Sequence, residues 1–189
     1  LAKYDWVFYV DSDEYLSGEL REDIARAVRE SDPRRVYYFN RLAIVEGKIV
    51  KHAFFYPEYT LRLINKKGGT TWKDGPIVHE GFMLGNNAIE VLLKSPLYAI
   101  WPSYKEAIAK DNYYLSLVEQ KFTRQVKDFS WFKYLRSMAI NKLKALNIIC
   151  KILKTYLQYG TAQTMPLKYQ LRFVRYHLLM AFSKNKLKR

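Results

Sequence analysis

Asp11, Asp13 and Glu14 put three carboxylates within four residues, directly after the apolar run WVFYV at 6–10. Like charges this close repel unless they face open water or share a cation. Asp11 and Asp13 are two positions apart, so a backbone that stays extended points both the same way. Hard oxygen ligands converging on one point suit Mg²⁺ or Mn²⁺, with the remaining positions filled by water and substrate phosphate. A metal held there acts as a Lewis acid for a departing diphosphate. The rival reading is plain: Asp-x-Asp triplets arise often by chance, and acids just ahead of a helix complement its dipole.

The elements around the cluster decide how it is presented. Residues 6–10 have the length and the aromatic, β-branched content of a strand buried on both faces, as at the centre of a mostly parallel sheet. Carboxylates at the carboxyl end of such a strand lie where open α/β sheets bind ligands. Ser17 can cap a helix running to about Glu30, with Leu20, Ile24, Ala27 and Val28 as its apolar stripe and Asp32-Pro33 as its stop. Residues 36–45 and 48–55 read as strands joined at Glu46-Gly47, and 59–64 and 89–93 as further strands. Residues 72–76 are loop-like, and 77–81 form a short apolar segment that carries His79 and Glu80. Helical spacing takes over at 103–126 and returns at 131–158 and 168–183.

Charge divides the chain. Residues 1–120 hold 16 Lys and Arg against 17 Asp and Glu, whereas residues 121–189 hold 16 against Asp128 alone. A nearly neutral body is therefore followed by a basic tail that suits an anionic partner. For 131–183 the expected partner is an anionic membrane surface; the rivals are plain packing of the apolar stripes on the body with the charge solvated, and nucleic acid, which no recognised motif supports. The single Cys150 rules out an internal disulfide and fits a reducing compartment, so the expected location is the cytoplasm, at the inner face of the cell membrane. No run of about 18 uncharged apolar residues exists that could span a bilayer.

Four stretches, in order, resemble the glycosyltransferase family 2 enzymes, in particular the bacterial lipopolysaccharide-core and related β-glycosyltransferases. They are WVFYVDSDEYLSGEL at 6–20, YPEYTLRL at 56–63, Trp72 followed by Val78-His79-Glu80, and Lys110-x-Asn112-x-Tyr114. The resemblance implies an α/β fold: a partial GT-A (Rossmann-like) sheet with a hairpin-containing acceptor region and appended carboxyl-terminal amphipathic helices. It implies a catalytic part over 1–127 and a basic helical tail over 128–189. Asp13 would be the main ligand of a divalent metal (Mg or Mn), and Asp11 would contact the metal or the donor's ribose. Glu80 would be the base that takes the acceptor hydroxyl's proton in an inverting transfer. His79 and Arg62 would face the diphosphate, Trp72 would stack on a sugar, and Glu14 would support the turn or the donor. Each has a bland counterpart: a structural His, an Arg on a strand face, a packed Trp.

Two departures stand out. Relatives commonly carry a His after the last strand, where this chain has Tyr98 and Trp101, so the metal site would either be weaker or lean on His79. The half of the fold that grips the nucleotide base would precede the Asp-x-Asp strand, so a fragment lacking that half is the expectation. The activity implied is metal-dependent transfer of a sugar from a nucleotide-diphosphate donor to a saccharide or lipid-linked glycan in cell-envelope (lipopolysaccharide) synthesis. The alternative is a non-catalytic basic helical module that binds a membrane surface or nucleic acid.

Overall fold

The computed structural model of the chain describes residues 2–30, 32–72, 81–125 and 131–182. In chain order the elements are β1 (Trp6–Phe8), β2 (Glu14–Leu16), α1 (Gly18–Glu30), β3 (Arg35–Val45), β4 (Lys48–Ile49) and β5 (Tyr59–Asn65). They continue with β6 (Thr71–Trp72), β7 (Phe82–Met83), β8 (Ile89–Leu92), β9 (Leu97–Ile100), α2 (Tyr104–Gln125), α3 (Trp131–Tyr159) and α4 (Leu167–Phe182). The architecture is mixed α/β. It divides into one unit of residues 1–44 and 57–101 and a second of residues 45–56 and 102–189.

In the first unit the strand order is β1-β5-β3-β9-β2, with β8 beside the opening half of β3. β5 runs antiparallel to both β1 and β3. β8 and then β9 run parallel to β3, so 89–100 follow one long strand in two segments, separated at Leu93–Pro96. The helix α1 packs on one face. Its Leu20 and Ala27 join Tyr37, Phe39, Leu63 and Leu97 in a buried cluster, with Trp6, Phe8, Ile24 and Val28 at its margin. Each fully buried large side chain contributes about 1.5–3 kcal/mol as an upper figure. Ser17 caps α1 by accepting the Leu20 N–H at 3.1 Å, as its position promised.

Three expectations change. The strand at 6–10 is not a two-sided strand at the centre of a parallel sheet: β1 ends at Phe8, is half-buried throughout, and has β5 as its one neighbour among the described strands. Its aromatic content serves two different surfaces, because Trp6 and Phe8 face the core whereas Tyr9 meets Arg62 and Trp72. The strand expected over 48–55 stops at Ile49. Beyond it the backbone bonds to the turn between α3 and α4: Lys51 and His52 donate to the Gln163 carbonyl, and Phe54 donates to Gln170 Oε1. Finally, β2 and β9 were not foreseen, although Leu97 and Ala99 are buried in alternation between Pro96 and Pro102.

The second unit is helical. α3 and α4 pack through Ala145, Ile148, Ile152 and Val174, with Phe54, Tyr156 and Phe173 alongside. α2 belongs here with them, tied by the Asp111–Arg172 ion pair at 3.4 Å and by Arg175 donating to Asn112 at 3.0 Å. By contacts α2 is grouped with α3 and α4, in a unit that also takes in residues 45–56.

One close approach in the first unit is testable. A Cβ on Gly68 would sit 1.9 Å from the Pro33 carbonyl oxygen, whereas one on Gly18 would meet nothing within 4 Å. Gly68→Ala is expected to cost about 2–3 kcal/mol by overpacking. Gly18→Ala is expected to change stability by less than about 1 kcal/mol. Urea denaturation midpoints of the two variants check the contrast.

Candidate carboxylate–arginine site

The site starts from strand alternation. Phe8 and Leu63 face the α1 core, so Tyr9 and Arg62 fall on the opposite face of the β1–β5 ladder. The Tyr9 N–H donates to the Arg62 carbonyl at 2.8 Å, which continues the pairing one step past β1. The Arg62 guanidinium then lies 4.9 Å from the Tyr9 ring centroid, a cation–π contact. Tyr9 meets Trp72 edge-on at 5.1 Å, and Trp72 meets Phe82 edge-on at 4.8 Å. Trp72 keeps part of its surface exposed beside this stack.

Past Val10 the chain turns. Glu14 N–H donates to the Asp11 carbonyl at 3.0 Å, and Glu14 Oε2 accepts the Asp11 N–H at 3.1 Å. This reciprocal pair closes residues 11–14 into a turn, which replaces the extended backbone that would have aimed Asp11 and Asp13 alike. β2 pairs antiparallel with β9, placing Glu14 opposite Ala99, and the Ile100 N–H donates to the Asp13 carbonyl at 2.8 Å. The backbone of the turn is therefore held from both sides.

The three acids of the turn do different work. Glu14 has its side chain fully buried, where Oε1 accepts from Arg62 at 2.5 Å and from Arg41 at 3.3 Å. Expected to support the turn or the donor, Glu14 gives its carboxylate to two guanidiniums and to the turn's own Asp11 N–H. Asp11 is about one-third exposed and pairs with Arg62 at 2.5 Å. Asp13 is exposed, and no described side chain bonds to its carboxylate. It is the open acid of the three.

Two further residues complete the network. Arg41, on β3, faces Glu14 and lies 3.6 Å from Glu58. Burial pushes the Glu58 carboxyl up, against the pull of Arg41 and with the help of nearby Glu14. Sequence reasoning passed over both, although an arginine inside the apolar stretch 36–45 was a signal. At Asp11, partial burial opposes ionisation, but bonds from Arg62 and Tyr9 and the charges of Arg62 and Arg41 outweigh it and hold the carboxyl low. Burial likewise opposes the charge on Arg62, and Asp11 and Glu14 overcome it. Two guanidiniums thus face three carboxylates, and Asp13 adds a fourth, so the surplus is negative.

Among the described residues no three His, Cys, Asp or Glu side chains converge as a ready metal cage. Arg62 occupies the space between Asp11 and Glu14 that a third ligand would need. Its buried Nε has no hydrogen-bond partner among the described residues. His79 and Glu80 lie outside the described residues, and Glu80 is two positions before Phe82, the residue that packs on Trp72. Where a His would stand, Tyr98 in β9 stacks on Tyr15 at 5.2 Å, and Trp101, just past β9, donates its N–H to the Ile44 carbonyl. No family model matches the chain.

Removing the cation tests the network directly. Arg62→Met leaves Glu14 buried with only Arg41 and is expected to destabilise by about 3–5 kcal/mol. Asp13→Asn, at an exposed position without a side-chain partner, is expected to shift stability by less than about 0.5 kcal/mol. Urea titrations compare them.

The pH dependence has a definite sign. Asp11 is held below its unfolded value, so its contribution is present above the ordinary aspartate range and is lost as pH falls through the lower folded value. Asp11→Asn should therefore flatten the loss of stability below about pH 4, measured as unfolding free energy against pH.

Proposed function

We propose that the chain belongs to the catalytic part of a metal-dependent inverting glycosyltransferase of family 2, built on a GT-A sheet. It would transfer a sugar from a nucleotide-diphosphate donor to a saccharide or lipid-linked glycan of the cell envelope. The observation that carries this reading is the division of labour at the turn. Glu14 and Arg62 lock the backbone, and Asp13 is left open at the rim of a network with surplus negative charge.

The donor set fits a hard divalent cation of the Mg²⁺ or Mn²⁺ type, which asks for one or two carboxylates and takes its other ligands from water and phosphate. Asp13 would hold it, with Asp11, already bonded by Arg62 and Tyr9, as the neighbouring carboxylate. Bound there, the ion would offset the charge that grows on the leaving diphosphate. Arg62 fixes the Asp11 carboxylate, keeps it ionised, and brings positive charge to the edge where phosphate oxygens would lie. Trp72, braced by Tyr9 and Phe82, offers an exposed aromatic face of the kind a sugar ring stacks on. Glu80, assigned by resemblance, takes the proton from the acceptor hydroxyl as the new bond forms at the sugar's anomeric carbon. His79 would sit beside the diphosphate.

The test is turnover of nucleotide-diphosphate sugars with and without Mn²⁺. Turnover is expected to need the ion, and Asp13→Ala is expected to lower it at least about 100-fold, the scale of a lost electrostatic contact at a reacting centre. Metal-independent turnover, or an Asp13→Ala variant as active as the parent, would sink the metal role. Titration of Mn²⁺ by electron paramagnetic resonance reads binding separately from activity.

A further inference from the structure

We infer that the outer face of α3 is a docking surface for an anionic phospholipid bilayer, on which the helix lies flat. The inference is independent of the sugar-transfer reading, because it rests on the second unit alone.

α3 has two apolar faces. The inner one, Ala145, Ile148 and Ile152, is packed on α4. The outer one is turned away from it: at 3.6 residues per turn, Cys150 lies about 200° around the helix from Ile148. Phe132, Leu143, Leu146, Leu153 and Leu157 recur there at helical spacing and are between 58% and 89% exposed. The stripe runs for about 38 Å at 1.5 Å per residue. Single exposed leucines are ordinary, but a continuous aliphatic stripe of this length is the mark of an interaction surface.

Charge says what covers it. Arg136, Lys151 and Lys154 line one flank and Lys142 the other, all exposed, with Lys144 further round toward α4. Neither α3 nor α4 contains an Asp or Glu. A second copy seated on the stripe would bring lysine against lysine with no acid to pair, which disfavours self-association. A nucleic acid would use the cations but leave the leucines in water, since strands stack on aromatic rings. An anionic bilayer satisfies both: the leucines enter the acyl boundary, and the basic side chains reach to the phosphates. No described helix is long and apolar enough to cross a membrane, so the helix rests on the surface.

Cys150, the chain's single cysteine, sits exposed at the centre of the stripe and can carry a probe. The protein is labelled there with a polarity-sensitive nitrobenzoxadiazole fluorophore. It is mixed with vesicles of phosphatidylcholine alone or with phosphatidylglycerol as about a third of the lipid. Emission should shift to the blue and rise several-fold on the anionic vesicles alone, and the change should fall with added salt. Flotation of unlabelled protein should show the same selectivity, and Leu146→Glu with Leu153→Glu should weaken binding at least ten-fold while circular dichroism stays unchanged. Both positions are exposed, so the helix keeps its packed face. Equal signals on both vesicles, or binding that the double variant retains, would overturn the inference. So would a wild-type dimer in sedimentation equilibrium that the double variant dissolves, without vesicle binding, which would make a second copy the occupant.

Discussion

The constraint on which the first unit depends is the burial of the Arg62 guanidinium. A buried cation loses several kcal/mol of hydration, and only well-placed carboxylates restore it. Two supply that here, and both come from the same four-residue turn. The turn must therefore close where it does, which requires Glu14 to bond back to Asp11 and β2 to be anchored on β9. It also requires β5 to run beside β1, so that Arg62 emerges next to Tyr9 and its ring. A single charge thus couples strand order, turn geometry and the stack that ends at Phe82. Both bonds leave the one Nη2 atom, while the guanidinium lies over the Tyr9 ring, a stacking contact that lysine's compact charge does not reproduce.

That coupling sorts the acids by role. Counted in the sequence, Asp11, Asp13 and Glu14 look alike. In the structure Glu14 is a structural counter-ion, Asp11 is half committed to Arg62, and Asp13 is open. A cluster in which every acid were free would repel itself, and one in which every acid were paired could take no ligand. The arrangement lies between these limits: Glu14 and Arg62 are paired in the interior, and Asp13 stays exposed.

What was legible in the sequence follows from the length over which a pattern repeats. α1, α2, α3 and α4 each hold several turns of a 3.6-residue stripe, and the helix expected at 131–158 is found at Trp131–Tyr159. β3 and β5 were long enough to show as well. β2 has three residues, too few for alternation to show, and β9, though as long as the foreseen β8, lies between Pro96 and Pro102. The error over the Asp-x-Asp geometry has a related cause. Side-chain direction was inferred from an extended backbone, but a hydrogen bond between Glu14 and Asp11, invisible to any periodicity, bends the chain first. Arg41 and Glu58 were missed because their meaning lies in long-range partners: Arg41 is tied to Glu14, 27 positions away.

The two units manage charge in opposite ways, and α3 shows why that matters. In the first unit cations and acids neutralise one another inside the structure, at the cost of desolvation. In α3 no acid is present, and every described cation of the helix stays in water. Folding explains the inner face completely, because Ala145 lets α4 approach and Ile148 and Ile152 fill the contact. It does not explain the outer stripe, whose leucines leave water only when something else arrives. Replacing them with polar residues would raise the helix's contrast between faces and its solubility without touching the packed side. An apolar row held in register over about seven turns, between exposed basic side chains, is therefore not accounted for by packing within the helical unit.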